Sequence, residues 1–183
     1  MTAEQREKIA SRLNGRDEVD AFEAAKAIWK DSDKRLERAL ILTLKNGRKP
    51  FNRVAAAFAM QIVSTPRTVR ALERAVKNQS ERPRVRGEAA ESLAHCHRKE
   101  SHRVLLAGLK DLSKDVRFWC AFALGEMAEE RAIPSLKRLI ASDRRIVKGF
   151  YSVAKEATDA MGKIQSVNVA HRRKDRCVFC MRD

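Results

Sequence analysis

Apolar residues recur along the chain at spacings of three and four between short polar breaks, the pattern of amphipathic helices packed on one face. The apolar stripes repeat. Arg53-Val54-Ala55-Ala56-Ala57-Phe58-Ala59-Met60 aligns with Arg86-Gly87-Glu88-Ala89-Ala90-Glu91-Ser92-Leu93 and with Arg117-Phe118-Trp119-Cys120-Ala121-Phe122-Ala123-Leu124, and the leading arginines stand 33 and 31 residues apart. A weaker copy, Ala21 through Ile28, precedes them by 32 residues, and a last one, Ala154 through Met161, follows at 37. Each period holds a second helical stretch, as at Leu36-Glu37-Arg38-Ala39-Leu40 and Ile133-Pro134-Ser135-Leu136. The spacing predicts five helix pairs. The first helices (A) are expected over 3–14, 33–46, 66–78, 101–112 and 131–142, and the second (B) over 17–30, 51–63, 84–97, 115–128 and 150–164. Asn14-Gly15, Asn46-Gly47 and the prolines at 50, 66 and 83 fall in the breaks, where helix punctuation belongs. One such pair cannot bury its own stripe, so the pairs must stack into a continuous core.

The B-helix segment Val85-Arg86-Gly87-Glu88-Ala89-Ala90-Glu91-Ser92-Leu93, and Val116-Arg117-Phe118-Trp119-Cys120-Ala121-Phe122-Ala123-Leu124 after it, resemble the HEAT repeat. The likeness is to the short HEAT-like repeats first noted in phycobilisome lyases, whose second helix reads Val-Arg-x-x-Ala-Ala-x-x-Leu. It is strongest over 83–140 and looser at both ends. The resemblance implies an all-α, right-handed α-solenoid, an armadillo-like superhelix of about five HEAT-like pairs, with B helices lining the concave face. It covers residues 1–165, leaving 166–183 as a basic C-terminal tail. It is specific for architecture and nearly silent about activity.

In that family the arginine opening the B helix often pairs with an acid of the turn before it. Asp115, and also Asp111, can serve Arg117; Arg86 has only Glu81 nearby; Arg53 has no acid in its own turn. The column therefore reads first as a structural ladder, with Arg53 as the exception.

Composition adds a direction. The 183 residues carry 39 Lys+Arg against 24 Asp+Glu, a formal net charge of +15, with a pI near 10.2. The excess is uneven. The A-to-B turns at 45–53, 77–86, 110–117 and 142–148 hold 14 basic residues against four acids (Glu81, Asp111, Asp115 and Asp143). Stacked, these turns form one edge, beside the B-helix N-termini, whose free N–H groups favour anions. The candidates for meeting an anionic partner are Arg48, Lys49, Arg53, Arg82, Arg84, Arg86, Lys114, Arg117, Arg144, Arg145 and Lys148. The bland alternative is a solvated rim that keeps the protein soluble. Phe58, Phe118, Trp119 and Phe122 fall at positions expected to face the concave side, where aromatics serve as binding anchors; the competing reading packs them between B helices or under the long connection before the last repeat.

Catalytic signatures are absent from the sequence: no Gly-rich phosphate loop, no Gly-x-Ser-x-Gly elbow and no His-Glu-x-x-His. Glu88 and Glu91 are a carboxylate pair on one helix, expected to face solvent. Trp119 with Asp115 gives a thin likeness to HEAT-like DNA glycosylases, which work in a basic concave groove. In the tail, Cys177-x-x-Cys180 is half of a tetrahedral zinc site, with His171 as a third candidate ligand and His95, Cys96, His97 or His102 as a fourth. The leading reading of the tail is instead two free thiols and no cofactor. No run of about 18 apolar residues marks a membrane span and no signal peptide opens the chain, so a cytoplasmic protein with reduced cysteines is expected. The sequence thus points to a non-catalytic scaffold for an acidic protein partner. Nucleic-acid backbone binding by the same edge comes second, and a glycosylase third.

Overall fold

The computed structural model describes residues 1–96 and 99–179, with side chains described for 1–96 and 100–167. Among the described residues ten α-helices form five antiparallel pairs: α1 (Ala3–Leu13) with α2 (Glu18–Asp31), α3 (Glu37–Asn46) with α4 (Pro50–Ala59), α5 (Pro66–Lys77) with α6 (Pro83–Cys96), α7 (His102–Gly108) with α8 (Lys114–Glu126), and α9 (Ile133–Ser142) with α10 (Val153–Phe179). Local chemistry sets their starts. Thr2 and Gln5 form a reciprocal capping box on α1, Asp17 caps α2 through the amide of Asp20, and Thr65 caps α5, each satisfying amides that lack an intrahelical partner. Pro50, Pro66 and Pro83 occupy first-turn positions, where a missing N–H costs nothing.

Every pair contributes large side chains to one continuous core. Leu13, Ile28, Leu40, Met60, Leu72, Leu93, Leu105, Leu124, Leu136 and Ile164 are fully buried and run through it from the first pair to the last. The B layer is built from small residues: Ala21, Ala24 and Ala25 on α2, Ala55, Ala56, Ala57 and Ala59 on α4, Ala89 and Ala90 on α6, Ala121 and Ala123 on α8, and Ala157 and Ala160 on α10. Each B helix therefore packs closely on the next, while the A helices touch their successors more loosely. That asymmetry makes B the inner layer and A the outer layer of the solenoid. Polar staples add register between pairs. Buried Asn52 on α4 donates to the carbonyls of Leu13 and Gly15 at 2.9 and 3.0 Å, and Ser92 on α6 donates to Ala57 O at 3.0 Å.

Three expected boundaries shift. A 3-10 turn, Lys99–Ser101, precedes a fourth A helix only 7 residues long, where 101–112 was expected. The second B helix ends at Ala59, and buried Val63 then turns the chain into the next pair. The last B helix starts later and runs further than 150–164. Before it, residues 143–152 form a hairpin-like connection closed by an Ile146–Ser152 bridge around Gly149, whose φ is +83°; beyond residue 165 no proline interrupts the helix before Phe179.

Candidate functional site

The arginine column forms a ladder, but its partners lie one repeat further on than the sequence suggested. Arg53 Nε and Nη2 grip Glu81 at 2.7 and 2.9 Å, and Nη1 donates to Gly47 O at 2.7 Å. Arg86 bonds Asp111 and the Val76 carbonyl. Arg117 Nε donates to Asp143 at 2.7 Å and Nη1 to Leu112 O at 2.9 Å. Each guanidinium thus joins carbonyls of its own A-to-B turn, or of the end of the A helix before it, to the carboxylate of the following turn. Arg53 is no exception, and Asp115 is not the partner of Arg117. Burial alone would raise Asp111 and Asp143; hydrogen bonds from Gln79, the Ser113 amide and Arg86 to the first, and from Arg145 and Arg117 to the second, outweigh it and hold both below their ordinary values.

This ladder changes the basic edge. Arg86 and Arg117 are buried and Arg53 nearly so, so these three face the interior rather than a partner. They also take up Glu81, Asp111 and Asp143, three of the four acids of the edge. What remains outside is cationic. Arg48, Lys49, Arg82, Arg144 and Lys148 are exposed and make no ion pair among the described residues, as do Lys45, Lys77 and Lys110. Arg84 reaches Glu18 at 3.1 Å and Arg145 shares Asp143. Lys114 Nζ donates to Ile146 O at 2.7 Å, tying the last two turns together. The N-termini of α4, α6 and α8 open onto the same edge.

Beside it, on the inner layer, a pocket of about 600 Å³ is lined by Arg84, Glu88, Glu91, Asp115, Trp119, Val147, Lys148 and Phe150. The connection 143–152 roofs it. Phe150 packs on Phe118 and Trp119 with ring centroids 5.4 and 5.1 Å apart, and Tyr151 packs on Phe118 at 5.6 Å. Phe118, expected on the open concave side, is therefore 1% exposed. Trp119, Phe122 and Phe58 are half-buried, and the Trp119 indole lies flush against Gly87, where a Cβ would approach it to 2.6 Å. Trp119 and Asp115 line the same pocket. Glu88 and Glu91 do not stand free in solvent: burial, then the charge of Glu91, pushes Glu88 up to about 8 although Arg84 opposes, and burial raises Glu91.

Residues 77–150 match the family model for HEAT repeats. The structure of the complex of CpcE and CpcF of phycocyanin lyase from Nostoc sp. PCC7120 superimposes with a TM-score of 0.73 over 87% of this chain and 99% of that chain, at 18% sequence identity. The fold is an α-solenoid whose residues 77–150 match HEAT repeats. No curated protein matches the sequence.

The opposite edge of the HEAT array, at the B-to-A turns, is clamped by acids that the sequence reading passed over. Asp33 and Glu129 are buried, and each binds both the amide and the guanidinium of the arginine two residues on, Arg35 and Arg131. His102, a candidate zinc ligand, is buried against Glu129. The acid-x-Arg spacing, visible at 33–35, 129–131 and again at 143–145, was the available signal. Cys96 is buried and His95 is exposed. Cys180 and His97 lie outside the described residues, as do the side chains of His171 and Cys177. No helix among the described residues is long and apolar enough to cross a membrane.

Proposed function

We propose that the protein is a non-catalytic HEAT-repeat scaffold that binds an acidic protein partner through its concave face and basic A-to-B edge. One observation carries this reading: the ladder draws three carboxylates of that edge inward, leaving an outer row of exposed cations of which Arg48, Lys49, Arg82, Arg144 and Lys148 make no ion pair among the described residues. Left as it is, that row repels itself; an acidic surface relieves the repulsion and gains Coulomb energy along several repeats. Arg48, Lys49, Arg82, Arg84, Arg144, Arg145 and Lys148 are the contacts assigned to the partner, with Lys114 bracing the last two turns. The solved neighbour is itself a complex of two named chains, which supports partner binding as a use of this architecture.

The test is affinity capture from nuclease-treated extracts of the source cells, with the natural chain beside the triple variant Arg48→Glu, Arg82→Glu, Arg144→Glu. Acidic proteins retained by the natural chain and lost from the variant are the expected result. Capture that disappears on nuclease treatment would transfer the edge to nucleic-acid backbone binding, whose affinity for a generic duplex falls steeply with salt.

A further inference from the structure

The cationic edge is not uniformly polar. Where the last two A-to-B turns meet, Leu112 is 91% exposed, Ile146 65% and Phe150 50%, three of the largest apolar exposures among the described residues. They lie on adjoining segments, because Lys114 Nζ holds Ile146 O and Arg117 holds both Leu112 O and Asp143. Lys110, Arg144, Arg145 and Lys148 surround them, while Asp111 and Asp143 are buried beneath. Building on the acidic-partner reading, we infer that this end of the edge docks an acidic protein segment bearing apolar side chains, with Leu112, Ile146 and Phe150 as its hydrophobic anchors and Lys110, Arg144 and Lys148 as its charge contacts.

Three features favour that occupant. On the outer side of the anchors the charge, from exposed Lys110, Arg144 and Lys148, is positive, so the complementary surface there is anionic. Part of the patch is pre-ordered: the Ile146 backbone is held by its bridge with Ser152, and the Phe150 ring packs edge-on to Trp119 and tilted against Phe118. Little freedom of the Phe150 side chain is therefore lost on contact. The patch also borders the concave pocket behind Phe150, where Glu88, Glu91 and Asp115 sit with Arg84 and Lys148. The acidic contacts therefore stay on the outer rim while a convex apolar side chain reaches the recess, which a flat bilayer does not. Phosphate groups of a nucleic acid offer leucine and isoleucine nothing to bury against.

Selection of a random peptide-display library on the purified full-length chain tests this, followed by anisotropy measurements with the enriched peptides. Peptides that intersperse Asp or Glu with Leu, Ile, Phe or Trp are expected. Their affinity should fall tenfold or more in the double variant Leu112→Ser, Ile146→Ser and disappear in Lys110→Glu, Arg144→Glu; all four positions are surface ones, and circular dichroism checks that the fold is kept. Acidic peptides without apolar residues, bound equally by the serine variant, would overturn the anchoring inference while leaving the acidic-partner reading intact. Enrichment of neutral or basic peptides, or no enrichment, would overturn both. Co-sedimentation with phosphatidylserine vesicles that is lost in the serine variant, with no acidic peptide enriched, would reassign the patch to a membrane surface.

Discussion

Arg117 on α8 donates to the carboxylate of Asp143 at 2.7 Å, across the boundary between the fourth and fifth repeats, and both side chains are more than nine-tenths buried. Removing one member of a buried pair leaves the other charged and desolvated. Asp143→Ala is therefore expected to cost about 3 kcal/mol. Arg145→Ala, which takes away only the exposed arm of the same carboxylate, should cost less than about 1 kcal/mol. Because contacts in a repeat array run mainly between neighbours, the damage should be local. Hydrogen exchange in Asp143→Ala is expected to quicken in α8, α9 and the first turns of α10 and to change little in α1 to α4; uniform quickening along the chain would contradict the neighbour-to-neighbour role of the ladder.

The same carboxylates make the fold acid-sensitive. Hydrogen bonds from Arg131 hold Glu129 down at about 2 against the opposing effect of burial, and the His102 charge adds to them. Asp111, Asp143 and Glu81 are also held below their ordinary values. A carboxylate with a lowered folded-state pKa stabilises the fold fully above its unfolded value and loses that contribution as pH falls through the folded one. The contribution of these carboxylates to the urea midpoint should thus be nearly flat above the ordinary carboxylate range and drop steeply below about pH 4. Glu129→Gln should have a lower midpoint at neutral pH and a shallower acid slope than the natural chain.

The helix pairs were legible because the 33- and 31-residue spacings and the apolar stripes are local properties of the chain. The ladder partners were not. Arg86 and Asp111, or Arg117 and Asp143, are 25 or 26 residues apart, and which acid meets which arginine depends on how one repeat is set on the next, a rotation the sequence does not display. Of the two readings of the aromatic positions, Phe118 takes the one that packs it under the long connection before the last repeat. Repeat alignment assigns Phe118 to the open face, but the connection 143–152 folds over it and brings Phe150 and Tyr151 into contact. The stacking of the turns along one edge follows from the repeat; what lay hidden was that three of the edge's four acids, Glu81, Asp111 and Asp143, are drawn inward by the ladder. Glu88 and Glu91 were placed in solvent because a single helix shows one bare face, and the neighbouring α8 with its tryptophan closes that face.

Glu88 carries the opposite pH signature to the ladder acids. Its folded-state pKa is pushed up to about 8, first by burial and then by Glu91, so the unfolded chain releases this proton through the ordinary carboxylate range while the folded chain keeps it. The unfolded state then binds fewer protons, and stability falls as pH rises from the ordinary range towards about 8. Glu88→Gln removes the group that would have to ionise in the pocket. It should stabilise the protein by about 1–2 kcal/mol at neutral pH and have little effect near pH 4, where the carboxyl is protonated in the fold anyway. Thermal midpoints at the two pH values check this, and equal shifts at both would show that the pocket does not hold the proton.

The closeness of the inner layer is tested at Gly125, on α8, where a Cβ would come within 2.7 Å of Ala160 Cα and 2.8 Å of its Cβ on α10. Both obstacles belong to a packed helix, one of them backbone, so no flexible side chain can swing aside. Gly125→Ala must push α8 and α10 apart. The helix propensity gained by alanine, about 1 kcal/mol, works against an overpacking penalty of about 1–3 kcal/mol, and a clash with main chain belongs at the upper end of that penalty. A net loss of about 1–2 kcal/mol in denaturant unfolding is expected. Gly162→Ala is the control, because nothing lies within 4 Å of its Cβ position on the same helix α10; it should gain the propensity term and stabilise. If both substitutions stabilise, α8 and α10 have room to spare, and the tight inner spacing that curves the array is not set at this contact.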